Sequence, residues 1–427
     1  MSATVQTPAP QVQALDTTVV TSWKGPIAFA IFTVIALALA VLAPRDGETT
    51  FRLSTPTDVI QLPEISVPAL PTLWVVILLL AVATAYSAWL VSRKRRVPLW
   101  LVVVFAVLFM VGFLTWAAAG STIPMIGLLF GSLSLAVPLI YGSLAGVIGE
   151  RVGVINIAIE GQLLAGAFTA AIVASVTGQP LLGLIAAMVA GMLVGMVLAA
   201  FAIKYFVDQV IVGVVLNVLV IGLTSFFFSQ VLAPNAATLN TPPRFDRLPI
   251  PVLSEIPIIG PVLFRQTLVV YIMYVVVALV YIGLFHTKWG LRLRAVGEHP
   301  TAADTVGIKV NRTRFWNVAL AGAIAGLGGT FFTIGSGIAF NKEMTAGAGF
   351  IALAAVIFGQ WDPIKATLAA LLFGFASNLQ NTLSVIGSPV PSEFMLMLPY
   401  VVTILAVAGF VGKVRGPAAA GKPYIKS

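Results

Sequence analysis

Long apolar runs, broken by short polar stretches, dominate the chain. Runs near or above the length that crosses about 30 Å of hydrocarbon occur at roughly 25–43, 72–92, 97–119, 123–149, 153–176, 181–203, 209–232, 267–285, 315–338, 363–386 and 394–411. A shorter run at about 345–360 makes a further crossing. Within lipid the backbone of such a run must satisfy its own hydrogen bonds, which a helix does. The pattern therefore predicts an all-α, polytopic transmembrane bundle of about 12 spans.

The polar intervals differ in kind. Residues 1–22 are rich in Thr, Gln, Pro and Ala and are expected to be disordered. Residues 44–71 and 233–266 read as outer loops, the second stiffened by seven prolines from Pro234 to Pro261. The stretch from Lys288 to Arg314 reads as one short two-faced helix on a membrane surface. Pro300 suits the first helical position, Thr301 to Asp304 continue it, and Gly307 stops it. Arg292, Arg294, Lys309, Arg312 and Arg314 crowd its flanks, so it looks built to touch another protein and holds no catalytic set.

Composition agrees with a membrane chain: 59% hydrophobic, 9% charged, mean hydropathy +1.03 over 427 residues. With the N-terminus inside the cell, 18 of the 24 Lys and Arg fall in cytoplasmic intervals, as the positive-inside rule requires, and both termini are then cytoplasmic. The net charge of +9 belongs mostly to that rim, beside anionic lipid, and is not a nucleic-acid patch. There is no cysteine, and the histidines, His286 and His299, both fall in rim loops, so no metal site is expected. The first 23 residues lack the basic region of a cleaved signal peptide. Small-xxx-small spacings at Gly142 and Gly146, Gly191 and Gly195, and Gly322 and Gly326 predict close helix crossings.

Inside the predicted spans the sole acid is Glu160, roughly 10 Å beyond the inner boundary, with Asn156 one turn before it on the same face. A carboxylate there must be hydrogen-bonded, protonated or wet, which leaves two readings: lining of a solute path, or a tie across a helix break near Gly153 and Gly161. Gln162, Asn217, Asn378, Gln380 and Asn381 are further buried polar candidates. Amides donate and accept at once, which suits a neutral polyhydroxylated or heterocyclic solute better than an ion. The chain has no phosphate-binding G-x-x-x-x-G-K-[ST], the nearest string being AGFVGKVRG around Lys413, and no H-E-x-x-H. No relay of buried ionisable groups is present either, so an energy source on another subunit is simpler than an ion-coupled secondary transporter, which stays the alternative.

The strings GVIGERVGVINIAIEGQLLAGAF (147–168), DQVIVGVVLN (208–217), WGLRLRAVGEHPTAADTVGI (289–308), MTAGAGFIALAAVIFGQWDP (344–363) and LPYVVTILAVAGFVGKVRGPAAAGKPY (398–424) closely resemble permease subunits of bacterial ABC importers. The resemblance is to the branched-chain amino acid, ribose and nucleoside superfamily, and within it to the nucleoside, or simple-sugar, branch. It covers about residues 121–427. It implies a nonenzymatic permease of a type II importer in the bacterial plasma membrane. It also implies a second related permease, a cytoplasmic subunit carrying ATP and Mg, and an external substrate-binding lipoprotein.

Under that resemblance Arg294, Glu298, Pro300, Ala302, Ala303, Asp304 and Gly307 would form the coupling helix in the ATPase groove. Asn156, Glu160, Gln162, Asn217, Asn378 and Gln380 would line the route, with Phe350 gating it. Ala158 stands where many relatives have glycine. The expected organisation is 1–22 as a polar N-terminus, 23–120 as an extension with three spans, 121–411 as the permease core including the loop 286–314, and 412–427 as a cytoplasmic tail.

Overall fold

The structure, a computed structural model, describes residues 22–391, 393, 394, 397 and 416–425. The polar N-terminal stretch up to residue 21 and nearly all of the expected span at 394–411 lie outside them. Among the described residues nine helices are long and apolar enough to cross a membrane. The chain divides into two compact units, residues 1–49 with 66–121 and residues 50–65 with 122–427.

The first unit is built on α1 (Lys24–Leu42), α2 (Ala69–Ser92) and α3 (Leu99–Ala117). Phe29 of α1 stacks on Phe105 of α3 with ring centroids 4.0 Å apart. The Trp116 indole donates to the Ala43 carbonyl (2.7 Å) and Arg45 donates to Ala117 (2.8 Å), tying the end of α1 to the end of α3. Within 44–71 the chain forms β1 (Glu48–Arg52) and β2 (Ile65–Pro68).

The second unit opens with β3 (Thr122–Pro124), which pairs in parallel with β1 from Thr50 opposite Thr122. Its helices are α4 (Met125–Arg151), α5 (Ile159–Thr177), α6 (Pro180–Ala199), α7 (Gln209–Phe227), and the short α8 (Ala236–Leu239) and α9 (Ile259–Leu263). Then follow α10 (Leu268–His286), α11 (Lys288–Glu298), α12 (Pro300–Thr305), α13 (Val310–Gly329), α14 (Ala348–Phe358) and α15 (Pro363–Val385). The proline-rich segment carries an antiparallel pair, β4 (Arg247–Pro249) with β5 (Arg265–Thr267). Local chemistry sets several helix starts: the Asp208 carboxylate accepts from Val210 and Ile211 N–H, and Asp362 accepts from Ile364 and Lys365 just before Pro363.

Small residues set the packing. A Cβ on Gly191 of α6 would run into the Gly322 carbonyl of α13, and one on Gly326 into the Ala187 carbonyl, so these helices cross backbone to backbone. Gly142 and Gly146 of α4 seat Ala352 and Val356 of α14 in the same way.

The boundaries correct the sequence reading in three places. The run at 153–176 is not one helix: residues 152–158 leave helical geometry and α5 starts only at Ile159. Gly153 takes a left-handed φ of +94° there. The segment from Lys288 to Arg314 holds two helices and the start of a third: Thr287 caps α11 at Gly290 (3.2 Å), and His299, at φ −139° and ψ 80°, ends it before Pro300 starts α12. Arg314 is no rim cation: it lies on α13 with 2% of its surface exposed.

Candidate functional site

The turn at 152–158 is buried, so its backbone needs partners from elsewhere in the chain. Two α7 amides supply them. Ile155 N–H donates to the Gln209 side chain (2.8 Å), and Asn217 spans the break, donating to the Ile157 carbonyl (2.9 Å) while accepting from Gly161 N–H (2.8 Å). Asn156 and Gln162, both fully buried, pair amide to amide at 3.0 and 3.3 Å. Three of the amides singled out from the sequence thus gather at the start of α5.

Glu160 sits beside them in the first turn of α5, with 4% of its surface exposed. One carboxylate oxygen accepts from Thr345 Oγ1 (2.6 Å) and Gly347 N–H (2.9 Å), and the other accepts from Gly349 N–H (2.6 Å). These donors lie around the start of α14, whose first N–H groups have no intrahelical acceptor and carry the positive end of the helix dipole. Gly347 takes a left-handed φ of +83° to turn its N–H toward the carboxylate. With 11 residues, α14 is too short to span alone, and Glu160 serves the end that begins inside the protein.

The other expected path residues stand apart from this cluster. Asn378 on α15 donates to the Leu128 carbonyl of α4 (2.7 Å), and Gln380 lies half-buried two residues beyond it. Phe350, on the first turn of α14, is 51% exposed.

Open space lies nearby. A cavity of about 610 Å³ is walled by Phe130, Ser134, Arg247, Gln266, Phe331 and Ser336, among others, with the Arg247 guanidinium 4.5 Å above the Phe130 ring. A second cavity of about 490 Å³ shares Phe331 and Ser336 and reaches Met344, Thr345 and Ala348, next to the groups that hold Glu160. None of Phe130, Ser134, Phe331 and Ser336 stood out in the sequence, since Ser and Phe are ordinary in apolar helices and only their convergence makes a wall.

On the other side of the unit, α12 projects Thr301, Ala302 and Val306 to the exterior while Ala303 is buried at 3%. Gly307 ends it with φ +86°, and Ile308 N–H bonds back to the Ala303 carbonyl (3.0 Å). Arg294 turns inward, its guanidinium 5.2 Å from the Phe285 ring centroid. Glu298 accepts from Ala418 N–H (3.2 Å). Between α11 and the start of α13 lies a hollow of about 670 Å³ edged by Arg292, Lys309 and Arg312.

Residues 128–407 match the family described as "Branched-chain amino acid transport system / permease component". The chain is 43% identical over 310 residues to the guanosine ABC transporter permease protein NupQ of Bacillus subtilis, covering 69% of this chain and 95% of that protein. It is 38% identical over 308 residues to the nucleoside ABC transporter permease protein NupC of Lactococcus lactis subsp. cremoris, with the same coverage. NupP, a second guanosine permease of Bacillus subtilis, is 27% identical over 289 residues. No solved structure matches. A multi-pass helical chain with this match belongs to the branched-chain amino acid transport system permease family, whose members are transport permeases and not enzymes.

Proposed function

We propose that this chain is the membrane-spanning permease of an ATP-driven importer that takes up nucleosides. The observation that carries the solute class is the similarity to guanosine and nucleoside permeases across 95% of their length. The cavities fit that chemistry. Ring faces at Phe130 and Phe331 suit a planar base, and Ser134, Ser336 and Gln266 suit ribose hydroxyls, within a volume typical of small-molecule sites. Solute would enter at the 610 Å³ cavity and pass along the 490 Å³ one.

In this reading Glu160, Asn156, Gln162 and Asn217 hold the backbone beside the route, while Phe350 gates it and Asn378 and Gln380 line it farther along α15. The helix α12, with Glu298, Pro300, Ala302, Ala303, Asp304 and Gly307 in and around it, seats in a cytoplasmic ATPase subunit that carries ATP and Mg, and Arg294 braces α11 behind it. The presence of NupP and NupQ in one organism supports pairing with a second, related permease. An external lipoprotein delivers solute, and about 12 spans in the bacterial plasma membrane leave both termini inside.

Reconstitution tests the whole reading. Vesicles holding this permease with its sister permease, ATPase and binding protein should accumulate radiolabelled guanosine or adenosine only when ATP is supplied. The isolated chain should be inert under proton or sodium gradients. Uptake by the isolated chain would establish the ion-coupled carrier instead.

A further inference from the structure

Residues 416–425 fold back against the element proposed to meet the ATPase. Ala419 N–H donates to the Gly297 carbonyl at the end of α11 (2.9 Å), next to the Ala418 bond to Glu298. Tyr424, with 8% of its surface exposed, joins the hydrophobic core that contains Leu293, Val296 and Ala303, and its hydroxyl donates to Asp304 of α12. Burial and that carboxylate hold the Tyr424 hydroxyl above its ordinary range.

The same ten residues also grip the buried turn at 152–158. Arg314 reaches from α13 to donate Nη1–H to the Lys422 carbonyl (2.8 Å). Gly153 leaves room for this crossing: a Cβ there would sit 2.8 Å from Arg314 Nη2 and 3.3 Å from the Ala419 carbonyl oxygen. Gly421, at φ +76°, lies against Ile155, and Gly416 against the Trp361 ring, whose carbonyl accepts from Arg151 (3.0 Å). Gly297 meets the Arg151 carbonyl so closely that a Cβ would collide with it.

Two facts argue that these contacts set position more than they add stability. A six-residue helix such as α12 cannot hold its own orientation, so whatever braces it decides where it points. A buried guanidinium is costly, and among the described residues Arg314 Nε and Nη2 have no partner. An apolar side chain of similar length would suit the fold as well.

We propose that residues 416–425 are a strap that locks α11 and α12 to the α4–α5 turn, with Arg314 and Tyr424 as positioning residues that pass movement of α12 to the solute path. The relay runs from α12 through Tyr424 and Arg314 to the 152–158 turn, then to the start of α5, where Glu160 holds the inner end of α14. It runs through hydrogen bonds from Arg314 to Lys422 and from Tyr424 to Asp304, and through the close packing of Arg314 and Ala419 against Gly153.

The proposal rests on the reading of the chain as an ATP-driven permease, and the test separates the two. In vesicles carrying the complete importer, ATP hydrolysed is compared with radiolabelled guanosine taken up for the wild type, Arg314→Met, Arg314→Lys and Tyr424→Phe. Loss of the strap should raise ATP consumed per nucleoside by roughly fivefold in R314M and Y424F, the effect of one ordinary hydrogen bond on a docked balance. R314M should keep its thermal unfolding temperature, and R314K, which still reaches Lys422, should stay near the wild-type ratio.

An unchanged ratio in R314M or Y424F, whether both activities fall together or neither does, overturns the strap. Should R314M fail to accumulate, Y424F decides alone. Absence of ATP-dependent uptake in the wild type would instead overturn the importer reading.

Discussion

Glu160 shows how much one carboxylate can organise. Its three bonds to Thr345, Gly347 and Gly349 reach 185 to 189 residues along the chain and close the inner end of a half-length helix. Charge-assisted bonds of this kind are worth about 1.5–3 kcal/mol apiece, and leaving their donors unmet in a dry interior costs a similar amount. Glu160→Gln exchanges one acceptor oxygen for an NH₂ that would face a donor, and Glu160→Ala removes both acceptors. Purified E160Q should therefore unfold at a lower temperature than the wild type, and E160A lower still, with nucleoside uptake falling in the same order. A loss of uptake with no change in unfolding temperature would place Glu160 against the solute instead. As the sole acid inside a predicted span it was conspicuous in the sequence, although the longer α4 also carries the buried Glu150. Its partners were not, because two glycines and a threonine at the head of an apolar run carry no mark of what they bind.

Helices in this protein are placed by two different kinds of information. The limits of α12 follow from Pro300 and Gly307, whose effects on φ are local, and they agree with the sequence reading. The stop between α11 and α12 went unread; it is made at His299, which leaves helical geometry (φ −139°, ψ 80°) ahead of Pro300. The crossing of α6 and α13 was legible from its glycine spacing, because only small residues let carbonyls approach so closely. On α12 the exposed Ala302 beside the buried Ala303 makes a direct test of the proposed ATPase contact. Ala302→Trp should leave the fold and ATP hydrolysis intact while uptake drops about tenfold, the effect of some 1.4 kcal/mol of lost contact energy. Normal uptake per ATP in this variant would remove α12 from the interface.

At the scale of the whole molecule, the charge pattern sets an orientation that can be read directly, since the chain has no cysteine of its own. Val306, 76% exposed beside α12, belongs to the inner side in the proposed topology, and the exposed Glu255 belongs to the outer side. In right-side-out vesicles a membrane-impermeant maleimide should label Glu255→Cys, and it should reach Val306→Cys only after permeabilisation. The opposite pattern would invert the topology and the placement of the ATPase with it. The family match begins at residue 128, so α1, α2 and α3 lie before the part shared with that family.

Hydropathy and the distribution of Lys and Arg were enough by themselves to make this a helical membrane protein, because transfer to lipid and interaction with the membrane surface act on each segment nearly independently of its neighbours. The quoted motifs were enough to identify a permease, which the family match bears out. Which apolar runs break was a different matter. The turn at 152–158 and the short α14 are as apolar as true spans, and the break before α5 and the late start of α14 stand because Asn217, Gln209 and Glu160 are delivered to their free backbone groups from distant positions. The burial of Arg314, the folding of 416–425 onto α11 and α12, and the aromatic and hydroxyl walls of the cavities likewise arise from long-range packing. No periodicity along one segment encodes them.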